Sequence, residues 1–222
     1  AISTLIANTR YGQVRGEQVD NVYVWKGIPY AKPPVGKLRF RPPVQPDKWD
    51  GVRDATTFGK TAMQPNSEMM KFLGDSPQGS SEDCLYLNIW SQGTDDKRRP
   101  VMVWIHGGAF MYGSGSSETY DGTSFAQTGD VVVVTINYRL GAFGFLHLEE
   151  IGGEAFAGSG NCGILDQIAA LKWVQENIGA FGGDPNNVTV FGESAGAMSI
   201  GTLLGTEQAE GLFHKAGQRI MF

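Results

Sequence analysis

Ser194 lies where a serine can do chemistry. Val188-Thr189-Val190-Phe191-Gly192-Glu193-Ser194-Ala195-Gly196 runs from an apolar strand pattern through Gly-x-Ser-x-Gly into the start of a helical one. In a chain with 31 glycines the bare motif is weak, and its weight comes from the strand and helix on either side. In that setting a serine hydroxyl is held exposed on a sharp strand-to-helix turn. Gly192 and Gly196 then have a steric job, because side chains two positions either side of the serine would collide across the turn that keeps Ser194 strained. Such a hydroxyl is the nucleophile of an acyl transfer, and the oxyanion that develops needs N–H donors. The helix after Ser194 would aim its free N–H groups and positive dipole end at that charge, which makes the Ala195 N–H one expected donor. His106-Gly107-Gly108-Ala109-Phe110 directly follows an apolar run. Glycines there let backbone N–H groups reach a substrate oxygen with no Cβ in the way, so Gly107 and Gly108 are the other expected donors.

Plainer assignments exist: Ser194 as a helix cap, and the glycine pair as a turn. The order of elements around both motifs favours chemistry. His106, at the foot of the glycine loop, is expected to orient it rather than to act as the base, and His147 and His214 are expected to be structural. No paired His or Cys spacing is present, so neither a metal nor a cofactor is expected.

The elements that must position these residues are legible in outline. Tyr11 to Arg15 and Val22 to Lys26 alternate in polarity around Gly16 to Asn21, which predicts an N-terminal antiparallel hairpin. From Gly27 to about Ser81 the chain is rich in Pro and Gly without sustained periodicity, as in a long, ordered, irregular excursion. Strands are predicted at Leu85 to Trp90, Val101 to Ile105 and Val131 to Asn137. The last two are near-continuous apolar runs, the pattern of strands covered on both faces by helices. Ile164, Leu165, Ile168, Leu171, Val174 and Ile178 fall on one helical face with Lys172, Gln175 and Glu176 opposite, predicting an amphipathic helix. Val188 to Phe191 resumes a strand, and a second helix starts at about Ala195.

With 222 residues, 41% apolar and 18% charged, the chain has the make-up of a single globular domain with a real core. A net charge of -5 argues against a nucleic-acid partner, and Lys97-Arg98-Arg99 is expected to be a solvated loop before a strand. No apolar run approaches the length that spans a bilayer, so no membrane partner is expected. Ala1 to Arg10 lacks the order of a secretory signal, although a removed one leaves no trace. Cys84 and Cys162 are too few for a disulfide framework and suit a reducing cytoplasm as buried small apolar residues.

Six stretches together resemble the type-B carboxylesterases, the family that includes the cholinesterases, and within it the bacterial para-nitrobenzyl esterases. They are Lys26-Gly27-Ile28-Pro29-Tyr30-Ala31, Glu82-Asp83-Cys84-Leu85-Tyr86-Leu87-Asn88, Trp104-Ile105-His106-Gly107-Gly108, Asn137-Tyr138-Arg139, Phe181-Gly182-Gly183-Asp184-Pro185 and the Ser194 turn. The resemblance implies an α/β-hydrolase fold: a mixed, mostly parallel sheet with helices on both faces. It implies hydrolysis of small carboxylic esters through an acyl-enzyme on Ser194, with Gly107, Gly108 and Ala195 holding the oxyanion and Glu193 a buried neighbour. It also implies two scaffold ion pairs, Arg39 with Glu82 and Arg139 with Asp166. Two departures stand out. Met63 occupies the stretch where cholinesterase-like members carry the cysteine that bridges to the position of Cys84, which favours a bacterial, cytoplasmic setting, with secretion left open. After Phe213-His214-Lys215-Ala216 the family continues into a strand, a pattern broken here by Gly217-Gln218-Arg219-Ile220-Met221-Phe222.

In α/β-hydrolases the acid and the histidine of the triad follow the serine in chain order on later loops. Glu207, Glu210 and His214 lie too close to Ser194 for that role and are not assigned. The expectation is therefore one incomplete domain over residues 1–222, the N-terminal portion of the fold: a fragment, a truncated gene product or half of a complemented enzyme. Its partner would be the missing C-terminal part, or a second copy meeting it through an unpaired apolar sheet edge. The alternative is a non-catalytic, hydrolase-like binding or adhesion module, which would have no reason to keep a strained turn at Ser194.

Overall fold

In a computed structural model of the chain, residues 4–66 and 78–220 are described; 67–77, within the Pro- and Gly-rich excursion, fall outside them. The strands are β1 (Ile6–Asn8), β2 (Gln13–Arg15), β3 (Glu17–Val19), β4 (Val22–Pro29), β5 (Val52–Asp54), β6 (Tyr86–Ser91), β7 (Arg99–Ile105), β8 (Val132–Ile136), β9 (Gly183–Glu193) and β10 (Lys215–Arg219). The α-helices are α1 (Thr123–Gly129), α2 (Gly141–Phe145), α3 (Glu149–Gly152), α4 (Cys162–Asn177) and α5 (Ala195–Leu204). A seven-stranded sheet has the order β10-β9-β7-β8-β6-β4-β3, and a small one has β1-β2-β5. In the large sheet β10, β9, β7 and β8 run parallel, while β6, β4 and β3 continue it antiparallel. The sheet is thus mixed, with five of its seven strands running the same way, and its run of parallel neighbours carries Ser194.

Both faces of this sheet are covered. Successive β8 residues enter two cores: Val132, Val134 and Ile136 join the larger one with Leu171, Val174 and Ile200, whereas Val133 joins Val22, Val24, Trp90 and Ala126 beneath α1. The continuous apolar run of β8 therefore has the double-cover explanation. The run of β7 does not, since Val101, Val103 and Ile105 are buried while Met102 and Trp104 are only half-buried. Helix α4 is sealed more widely than an amphipathic stripe implies: Asp166, Gln167 and Asn177 are buried beside Ile168, Leu171 and Val174. Lys172 and Glu176 keep the solvent side.

The predicted N-terminal pairing is corrected. β2 pairs with β1 and β5 in the small sheet, and the hairpin is made by β3 and β4 across a two-residue turn at Asp20 and Asn21. The cause is Gly16, where a Cβ would stand 2.4 Å from the Val24 carbonyl oxygen and 2.9 Å from the Trp25 ring. The chain crosses Trp25 there and changes sheets, so one alternating run serves two. The break expected after Ala216 is also corrected, because Lys215–Arg219 forms β10, parallel to β9. All five of its residues, Lys-Ala-Gly-Gln-Arg, are exposed, so the edge strand is of mixed polarity rather than apolar. No helix among the described residues is long and apolar enough to cross a membrane.

Candidate active site

β9 ends at Glu193 and α5 begins at Ala195, so the turn between them is a single residue. Ser194 takes φ 55 and ψ -121, a conformation that costs an L-residue of order 1–3 kcal/mol and persists only where the surroundings impose it. Here they do. A Cβ on Gly196 would lie 2.0 Å from the Ile105 carbonyl oxygen, and one on Gly192 would lie 2.7 Å from the same atom. The first turn of α5 is pressed against the end of β7, and only glycines allow that approach. From the other side the Ser194 N–H donates to the Arg219 carbonyl at 2.9 Å, and the Gln218 amide donates to the Ala197 carbonyl at 2.6 Å. Ser194 is half-buried, and its Oγ has no hydrogen-bond partner among the described residues. Glu193 is half-buried rather than buried.

The loop leaving β7 lies against this turn, for a Cβ on Gly107 would come within 3.2 Å of the Ser194 Cβ. Its first three carbonyls, those of His106, Gly107 and Gly108, are all engaged. The Tyr138 hydroxyl donates to the His106 carbonyl at 2.7 Å, His106 Nδ1 meets the Gly107 carbonyl at 2.7 Å, and the Met111 and Tyr112 N–H groups both donate to the Gly108 carbonyl at 3.0 Å. By contrast, the N–H groups of Gly107, Gly108 and Ala195 donate to no acceptor among the described residues. Among the described residues, three of the seven non-glycine residues at positive φ gather here: Ala109, Phe110 and Ser194. A glycine pair with engaged carbonyls and unspent N–H groups beside an accessible hydroxyl can stabilise negative charge on an oxygen bonded to the carbon that the hydroxyl attacks.

His106 is a neutral spacer. Burial pushes its pKa down to about 4, against the pull of the Gly107 carbonyl. Because a carbonyl only accepts, the ring proton belongs on Nδ1. Nε2 is buried without a partner among the described residues, so nothing connects this imidazole to the Ser194 hydroxyl. The other two histidines are committed elsewhere: His214 Nδ1 accepts the Val188 N–H at 3.0 Å, and His147 is 3.9 Å from Glu150.

The two expected ion pairs exist. Arg139 Nε and Nη2 donate to Asp166 at 2.8 and 2.7 Å, and the Arg139 backbone N–H adds a third bond at 3.0 Å. Both residues are buried, and burial pushes the Asp166 carboxyl up against those three donors. Arg139 Nη1 also reaches the Arg41 carbonyl at 2.7 Å, which fastens the excursion and the segment after β8 to α4. Arg39 and Glu82 form a bidentate pair at 2.5 and 2.8 Å, partly open to solvent, and hydrogen bonding from Arg39 holds the Glu82 carboxyl below its usual range. Cys84 and Cys162 are free and buried, with both thiols pushed up by burial. A cleft of about 530 Å³ lined by Tyr11, Tyr30, Lys172 and Trp173 does not include Ser194.

Three contributors were not singled out from sequence. Tyr138 entered only as the middle of Asn137-Tyr138-Arg139, and that place was the available signal. Gln64 exchanges two hydrogen bonds with the backbone of Gly113, at 3.0 and 3.1 Å, and so closes the far end of the glycine loop. Arg219 acts through its backbone carbonyl, which no side-chain pattern announces.

Comparisons with known proteins bear on the family and the fold. The chain is 56% identical to the para-nitrobenzyl esterase of Bacillus subtilis over 95% of its own length and 42% of that protein's. It is 50% identical to the fumonisin B1 esterase of Sphingopyxis macrogoltabida over 96% of its own length and 39% of that protein's. Among solved structures, a carboxylesterase of Geobacillus stearothermophilus superposes with a TM-score of 0.90 at 62% identity, covering 96% of this chain and 43% of that one. The chain therefore spans about two fifths of the length of the relatives it matches. Residues 3–217 match the carboxylesterase family, and the chain belongs to that family.

Proposed function

We propose that this chain supplies the nucleophile and the oxyanion donors of a serine-dependent carboxylic-ester hydrolase, as the N-terminal portion of a single α/β-hydrolase domain. One observation carries the reading: an accessible, unpaired Ser194 hydroxyl on a strained turn lies beside a loop whose His106, Gly107 and Gly108 carbonyls are occupied and whose Gly107 and Gly108 N–H groups are not. In the proposed reaction Ser194 Oγ attacks the ester carbonyl carbon and gives up its proton to a base. The carbonyl π electrons move onto oxygen, where the N–H groups of Gly107, Gly108 and Ala195 hold them. Collapse of the tetrahedral intermediate breaks the bond to the alcohol oxygen, which leaves with a proton, and water then hydrolyses the acyl-Ser194 ester.

None of the three histidines is placed to serve as that base, so the reading assigns the base and its acid to the part of the relatives' length that this chain does not match. The relatives' names point to small esters, such as those of para-nitrobenzyl alcohol, as the substrate class. Against a purely binding module stands the strain kept at Ser194, which such a module would not need. The test is slow acylation by a para-nitrophenyl ester, with nitrophenolate release followed over hours. The proposal expects about one equivalent per chain and none above background in Ser194→Ala; equal release by both chains would refute it.

A further inference from the structure

The esterase reading assigns the two glycine N–H groups to the oxyanion, and it leaves open what aims them. In a trans peptide the C=O and the N–H point in opposite directions, so whatever grips the carbonyl also aims the N–H of the next residue. The peptide that bears the Gly107 N–H is gripped by the Tyr138 hydroxyl, 2.7 Å from the His106 carbonyl. The peptide that bears the Gly108 N–H is gripped by His106 Nδ1, 2.7 Å from the Gly107 carbonyl. The tyrosine also governs the second grip, since its ring stacks on the imidazole with centroids 4.5 Å apart and planes 18° from parallel.

Resting on the assignment of Ser194 as the acylated group, we propose that Tyr138 is the positioning residue of the oxyanion site. Its hydroxyl orients one donor directly, and its ring orients the other through His106. Tyr138 itself is firmly held: it is fully buried, and the next residue, Arg139, is tied to Asp166 by three hydrogen bonds. Rotating either glycine peptide would leave a carbonyl sheltered from solvent without its donor. A hydrogen-bonded carbonyl also polarises its own peptide and so strengthens the N–H on the far side. One tyrosine thereby couples the direction and the strength of the donors without touching the substrate.

The test is the rate at which a fluorophosphonate modifies the chain, a reaction in which Ser194 Oγ bonds to phosphorus, fluoride leaves and the hydroxyl proton passes to solvent. Its phosphoryl oxygen needs the same N–H groups. Tyr138→Phe keeps the ring and deletes only the hydroxyl. The expected result is a fall of roughly tenfold or more in the maximal labelling rate, with the concentration for half-maximal rate unchanged within about twofold and the folded fraction matched by near-ultraviolet circular dichroism. An unchanged maximal rate in folded Tyr138→Phe overturns the proposal, as does a change confined to the half-maximal concentration. Labelling that survives in Ser194→Ala sinks the underlying esterase reading instead. Should Tyr138→Phe fail to fold, the wild-type chain still carries the test through the nitrogen-15 shifts of His106. They must show a neutral ring protonated at Nδ1, and a proton on Nε2 would overturn the arrangement.

Discussion

An imidazole sealed from water takes up a proton reluctantly, and at His106 this reluctance becomes a pH dependence of the whole fold. In the unfolded chain the ring protonates below about 6.5, whereas in the folded chain it stays neutral down to about 4. The unfolded state therefore binds more protons between those values. The stabilisation is fully present above pH 6.5 and is lost as the pH falls toward 4. Urea titrations of wild type and His106→Asn at pH 7 and pH 4.5 check this. The wild type should lose about 2–3 kcal/mol more than the variant between the two pH values, and the rising contribution of Asp166, common to both chains, cancels in the difference. The supporting place of His106 was legible from its position at the foot of a glycine pair. The partnership with Tyr138 was not, because it joins residues from two strand ends that only the parallel pairing of β7 and β8 brings together.

At the scale of elements, the turn at Ser194 depends on how closely α5 can approach β7. Gly196→Ala places a methyl 2.0 Å from the Ile105 carbonyl oxygen, and it is expected to destabilise the chain by about 2 kcal/mol or more through forced backbone movement. Gly179→Ala is the control, with open space around the added carbon and an expected change within about 0.5 kcal/mol. Thermal unfolding of the two variants side by side makes the comparison. Patterns with strong apolar periodicity, those of β6, β8 and α4, were readable because burial itself writes the pattern. The extent of β9 was not: between Arg99 paired with Gly183 and Val101 paired with Val188, its strand carries three more residues than β7 does, and a bulge that includes Pro185 looks like a terminator in sequence. β10 left no apolar trace because its side chains bury no apolar surface, and it is held by backbone pairing to β9 and by the Gln218 side chain on α5. The hairpin was misassigned because alternation records which side is buried and not which strand lies alongside.

For the molecule as a whole, the Arg139–Asp166 pair joins the excursion, the segment after β8 and α4. Removing one charge leaves the other buried without compensation, so Asp166→Asn should cost about 3–5 kcal/mol, and Arg139→Met with Asp166→Leu together should cost less. Arg39→Ala, at a pair open to solvent, should matter less than either. Denaturant midpoints rank the variants. A fastened scaffold thus surrounds a strained serine, and the claim on which the function rests concerns that serine. Its most direct test is intact-mass and peptide-mapping spectrometry after exposure to a fluorophosphonate. One adduct per chain on the peptide that contains Ser194, absent from Ser194→Ala, is the expected result. An adduct on any other residue, or an unmodified chain after prolonged exposure to excess reagent, would contradict it.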